Sequence, residues 1–255
     1  MNARLAKVRE DRTIAHVAPL LWFLLSSFLL GIAAGQIEWK HPDASWWRRF
    51  PDTWILTLQT LSTTALVAFF WKHYEFRWNT KAVLIGGILG AVGIGFWLLP
   101  TQIYEWLGLE ENPEEGLLKW LGVNDRLDGF DPEDLGSRGW MFAWLAMRFF
   151  RAVVIVSIVE EVLWRSFLMR YLLKPDGNYW KVPFGKPALL SFAVVTGAFM
   201  LAHAPVDWAG AIAFGSIMYG LAVWQKSLLA CVVMHGVANF LMCWYALETG
   251  KFGLL

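Results

Sequence analysis

Glu160 and Glu161 stand side by side in FFRAVVIVSIVEEVLWRSFLMRYLL, residues 149–173, a stretch otherwise apolar enough to cross a bilayer. An ionised carboxylate at bilayer depth costs at least ~2.5 kcal/mol, so two in succession need a compensating purpose. Arg165 follows Glu161 by four residues, which puts both on one helix face in the favourable acid-then-base order. Glu160 is turned from its neighbour by ~100°. One carboxylate can be held by Arg165 while the other faces a second helix. Two more apolar stretches carry polar residues of the same kind. FMLAHAP places His203 in a membrane helix just before Pro205 interrupts it, and MHGVANF places His235 and Asn239 four apart on one face.

Two carboxylates, two imidazoles and a carboxamide from three helices suit two kinds of hydrolysis. In one, a glutamate and a histidine activate water as general base, while a second histidine and an asparagine donate hydrogen bonds to the oxyanion. In the other, zinc sits in the centre. Imidazole and carboxylate are good zinc ligands, and a catalytic site needs three of them plus an open position. The sequence does not choose between the two. Structural readings compete for single residues: an ion pair for Glu161 with Arg165, and interhelical hydrogen bonds for either histidine. Taken jointly, the residues favour a site. Phe199 is a packing residue by its chemistry, and Asp207 reads as a helix N-cap.

The elements that must carry these residues are membrane helices. The chain has 255 residues, is 57% hydrophobic and 17% charged, has a mean hydropathy of +0.44 and contains 17 Trp. A soluble domain has about 25% charged residues, so this is an integral membrane protein of the all-α class. A crossing needs ~20 apolar residues. That ruler gives a polytopic bundle of about seven or eight transmembrane helices, seven of them countable: 14–37, 53–71, 82–99, 149–173, 187–203, 208–225 and 227–247. One domain results, with three N-terminal spans over 1–100, an acidic segment over 100–139 and the catalytic core spans over 149–247.

Counted from the charged loop 174–187, Glu160 and His235 reach similar depths. His203 lies too deep unless its helix begins late or tilts. Arg148 and Arg151 open the fourth span and snorkel outward. His16, His41 and His73 fall near membrane interfaces and carry no site.

Net charge is +1, so no global field recruits nucleic acid. Basic residues gather at the N-terminus (Arg4, Lys7, Arg9, Arg12) and after the second and fourth spans. Ten acidic residues against three basic ones fill 100–139. The positive-inside rule then puts the N-terminus in the cytoplasm and the acidic segment outside, with the pieces 103–109 and 117–121 at the interface on Trp106 and Trp120. Gly86 and Gly90 put small residues four apart on the third span, a pattern for close helix packing.

Glu160-Glu161-x-x-x-Arg165, Phe199-x-x-x-His203 and His235-x-x-x-Asn239, in that order on hydrophobic helices, resemble the CAAX prenyl proteases and bacteriocin-processing enzymes. WRSFLMRYL, the VPFG of 182–185 and the closing ALETGKF resemble the branch associated with exosortase systems. The resemblance covers residues 150–247. It implies an intramembrane endopeptidase in a lipid bilayer, in a bacterial inner membrane, acting on a hydrophobic peptide or membrane protein, with an exosortase-system partner. It implies Glu160 as general base or metal ligand, Glu161 and Arg165 as its support, His203 as water-activating partner or ligand, and His235 with Asn239 as ligands or oxyanion donors. Zinc, if used, would be held by Glu160, His203 and His235. The rivals are an ion- or proton-coupled transporter, which the absence of Asp and Glu inside the first three spans disfavours, and a non-catalytic membrane scaffold.

Overall fold

Side chains at the chain's turns set most helix starts before packing contributes. Asp11 Oδ1 accepts from the backbone N–H groups of Thr13 at 2.8 Å and Ile14 at 3.0 Å, opening α1 (Arg12–Ile37) as an N-cap does. Pro51 begins α2 (Pro51–Phe70) at a position where its missing N–H costs nothing. Asn79 caps α3 (Thr80–Trp106) through the Ala82 N–H at 3.1 Å. A long helix α4 follows (Arg138–Tyr171), then α5 (Leu189–Leu201) and α6 (Trp208–Gln225). The last, α7 (Leu228–Thr249), is capped by Ser227 and closed by Gly250 at φ 71°.

These elements come from a computed structural model, which describes residues 3–41 and 43–255. Among the described residues there is no strand. Six helices are long and apolar enough to cross a membrane: α1, Pro51–His73, α3, α4, Pro205–Gln225 and α7. The seventh expected crossing, 187–203, is a 13-residue helix, α5. At ~1.5 Å per residue α5 rises ~20 Å, short of a ~30 Å hydrocarbon core. Its late start has a visible cause. The Tyr219 hydroxyl both accepts from the Ala188 N–H and donates to the Ala188 carbonyl, each at 3.0 Å. Three residues earlier Gly185, at φ 73°, lies against the Ala222 carbonyl where no Cβ would fit.

Two other boundaries differ from the sequence reading. α3 continues through Pro100 to Trp106 and so absorbs the expected separate piece at 103–109. Gln102 Nε2 ties this last turn to α7 by donating to the Tyr245 hydroxyl at 2.6 Å. α4 begins at Arg138 instead of 149.

The chain divides into two compact units, residues 1–74 with 131–160 and residues 75–130 with 161–255. In the first, α1 and α2 are joined by Gln59, whose Nε2 donates to the Phe23 carbonyl at 2.7 Å, and by Trp22 Nε1 on Ser62 Oγ at 2.9 Å. Tyr74 donates to the Ala15 carbonyl at 3.0 Å, and burial pushes its hydroxyl pKa up. His16, expected at a membrane interface, is buried against the edge of the Tyr74 ring system. Arg151 turns inward, donating to Gln59 Oε1 at 3.3 Å and lying over the Phe23 ring. It does not snorkel outward, because Gln59 offers a buried acceptor.

In the second unit α3 packs along α7 through its small residues. A Cβ on Gly90 would stand 2.5 Å from the Met234 carbonyl oxygen, and one on Gly86 would strike the Ala230 carbonyl. Gly87 faces open space. Gly90→Ala is therefore expected to destabilise by ~1–3 kcal/mol, the usual cost of overpacking, while Gly87→Ala gains up to ~1 kcal/mol of helix propensity. Thermal unfolding in detergent checks this. Equal melting temperatures for the two variants would show that α3 does not meet α7 on its Gly90 face.

Candidate active site

α4 enters the second unit at Glu161, and the chemistry of that unit begins with this residue. Glu161 and Arg165 are both 0% exposed. Arg165 Nε stands 3.2 Å from Glu161 Oε2, and Nη1 donates to Oε1 at 3.4 Å. The same Oε1 lies 2.8 Å from His235 Nδ1 on α7. A carboxylate engaged with arginine only accepts, so His235 Nδ1 donates and its Nε2 is left for other work. Phe199 on α5 is 1% exposed. The Arg165 guanidinium carbon lies 5.1 Å from the centre of its ring, a cation–π contact.

Phe199 also gathers the imidazoles. Its ring centroid is 4.6 Å from His203 and 6.3 Å from His235. The Phe214 ring on α6 closes the cluster, 5.7 Å from His235 and 6.2 Å from Phe199. Trp164 meets Phe199 edge-on at 6.4 Å.

His203 is not inside a membrane helix as the sequence suggested. α5 stops at Leu201, and His203 occupies the bend that follows. Its Nδ1 is 2.7 Å from the Phe199 carbonyl. A carbonyl can only accept, so Nδ1 carries the proton and Nε2 the lone pair. The indole of Trp97 on α3 stands 5.2 Å from the ring, and Trp208 Nε1 donates to the His203 carbonyl at 3.2 Å.

Arg165, His203 and His235 thus surround one phenylalanine, and Glu161 joins the first and the last of them. Asn239 lies one turn beyond His235 on α7 and is half-buried. Glu160 is half-buried and closes the first unit, whereas Glu161 opens the second. Among the described residues no three His, Cys, Asp or Glu side chains stand together as a metal-holding group. Glu161 already gives its oxygens to Arg165 and His235. No step below is routed through a metal.

Several features carried no sequence signal. Residues 150–156 and 162–168 of α4 are π-helical and flank the carboxylate pair. Such turns recur at functional sites, but neither segment contains Pro or Gly to announce one. Asp207 holds the N-cap position of α6 without capping it. Its carboxylate accepts instead from Trp97 Nε1 at 3.2 Å and from Arg126 Nη2 at 2.5 Å. A buried Arg170 donates to the Ser166 carbonyl at 2.6 Å and hydroxyl at 2.7 Å.

Residues 140–241 match the family model of the type II CAAX prenyl endopeptidases, described as Rce1-like. Over this segment the chain is similar to that family. The match holds all six residues singled out above, from Glu160 to Asn239, and supports the resemblance to the CAAX prenyl protease and bacteriocin-processing family. No curated protein and no solved structure matches the chain. The family so described is one of CAAX-type endopeptidases.

Glu161→Gln would leave the Arg165 charge buried without its acid, and breaking such a pair is expected to cost ~3–5 kcal/mol. Glu161→Gln with Arg165→Met is expected to recover most of that loss, because the two effects share one interaction. Unfolding of both single variants and the double variant in detergent measures the coupling. Additive losses would mean that the pair contributes no joint stability.

Proposed function

We propose that the protein is an intramembrane endopeptidase that hydrolyses a peptide bond in a membrane-associated peptide or protein, with Glu160 and His203 activating the water. The observation that carries this reading is a histidine, His235, oriented by a buried glutamate inside the Rce1-like segment. Glu161 is held by Arg165 and His235 and takes the supporting role, and the base role goes to Glu160, as the resemblance of the paired-glutamate motif implies. His203, with its proton on Nδ1 and its lone pair on Nε2, is the partner that shares the water's proton.

The water oxygen attacks the scissile carbonyl carbon as its proton passes to this base. The carbonyl oxygen gains the charge. In its imidazolium form His235 keeps Nδ1–H on Glu161 and offers Nε2–H to the oxyanion, and the Asn239 amide offers a second donor. Loss of one such donor costs ~10²–10³ in rate where it has been measured. The C–N bond then breaks, and the leaving amine takes the proton held by the base.

Glu161 and Arg165 are positioning residues in this reading. The basic N-terminus lies in the cytoplasm, in a bacterial inner membrane, and the sequence likeness to the exosortase-associated branch makes a component of such a system the first candidate partner. Glu160→Gln is expected to abolish cleavage by purified protein while leaving the melting temperature unchanged. Full activity in that variant would refute the mechanism. Chelators are expected to leave cleavage intact, and an activity lost to chelation and restored by zinc would call for a metal-centred mechanism.

A further inference from the structure

The segment between α3 and α4 contains a positively charged side chain, Arg126, that reaches the turn carrying His203. Arg126 is 7% exposed in a segment rich in acid. Its Nη2 donates to Asp207 Oδ1 at 2.5 Å and to the Val206 carbonyl at 3.2 Å, so one nitrogen holds both side chain and backbone of the turn. Asp207 also accepts from Trp97 Nε1 at 3.2 Å, and the Trp97 ring lies 5.2 Å from His203. A continuous path of contacts therefore runs from Arg126 through Asp207 and Trp97 to the imidazole.

The backbone at Arg126 is itself held in place. Its φ is 62°, a left-handed conformation that costs a non-glycine residue energy and persists only where its surroundings impose it. Those surroundings are specific. Asn124 Oδ1 accepts the Arg126 N–H at 2.8 Å, and the Arg126 carbonyl accepts from the Gly253 N–H at 2.9 Å. Lys251 Nζ donates to the neighbouring Asp125 carbonyl at 3.0 Å and pairs with Glu105 at 3.1 Å. Gly122, at φ 77°, lets the segment lie so close to the Val206 carbonyl that a Cβ there would collide with it.

We infer that Arg126 is a positioning residue for His203, acting through Asp207 and Trp97 to fix the turn and hence the orientation of the imidazole. This rests on the peptidase reading only for its effect on rate. Without the arginine, Asp207 keeps Trp97 but loses its cation, and the turn following α5 loses its hold on the backbone at Val206.

The test uses the full chain in detergent, labelled with 15N-histidine, and reads the ring nitrogens of His203 among the five histidines, assigned with His203→Gln. Arg126→Ala and Asp207→Asn are each expected to shift the His203 signals from the Nδ1–H pattern toward an average of both tautomers, leaving the other four in place. Arg126→Lys is expected to retain the wild-type pattern. In a cleavage assay kcat should fall about tenfold to a hundredfold with KM little changed, the scale of a small misplacement of a reacting group. If His203 signals stay put in both variants, the inference is overturned whether or not the protein cleaves anything. If they shift while the wild type cleaves no peptide, positioning stands and the peptidase reading falls. Should Arg126→Ala unfold, moving all five histidines, the isosteric Asp207→Asn decides.

Discussion

A guanidinium with no exposure to solvent is the constraint around which the second unit is organised. Arg165 cannot lose its proton, so its charge must be matched where it lies. Glu161 matches it from the same helix. The Phe199 ring covers it from α5, and the carboxylate is in turn held by His235 from α7. Removing any of these three leaves a buried charge or a buried acceptor without its complement. The cluster is a poor way to obtain stability, because well-packed apolar residues replace buried ion pairs at little or no loss. What it supplies is a fixed relation among three helices at the one place where two histidines must be oriented.

The sequence made that cluster partly legible. The spacing of Glu161 and Arg165 is a local property of a helix, and the four-residue interval survives even though Arg165 lies in a π-helical stretch. The glycines of α3 were legible for the same reason, since a repeated small residue marks a face. Features that depend on distant partners were not. α5 is short because Tyr219, thirty-one positions away in the chain, holds Ala188, and no window of hydropathy contains that fact. Asp207 looked like an N-cap because its position is one. Its partners Arg126 and Trp97 lie 81 and 110 residues before it. Arg151 looked like a snorkelling residue until Gln59 supplied an acceptor inside. In each case local spacing set the residue's options, and a long-range contact chose among them.

The adjacency of Glu160 and Glu161 acquires a physical meaning from the same cluster. Successive side chains on a helix diverge by ~100°, so anchoring one of them constrains the bearing of the other. Arg165 and His235 anchor Glu161. In the proposed mechanism the base therefore stands on a stem whose orientation its anchored neighbour helps to set. The tandem separates two tasks, since Glu161 answers the buried charge of Arg165 while Glu160 points elsewhere.

The two histidines are differentiated by equally simple means. Both have Nδ1 engaged, which leaves Nε2 as the working atom in each. His203 donates to a backbone carbonyl, a neutral group that offers a second proton on the ring no charge partner. His235 donates to a carboxylate, which gives a doubly protonated ring its counter-charge. In the proposed mechanism one environment suits a proton acceptor and the other a hydrogen-bond donor, so a single residue type takes both sides of the reaction, as happens where neighbouring groups set paired titratable residues to opposite tasks. Exchanging the acceptors, carbonyl for carboxylate, would exchange the roles. The chemistry is thus written less in the histidines than in Phe199 and Glu161, the residues that tell each imidazole which nitrogen to keep.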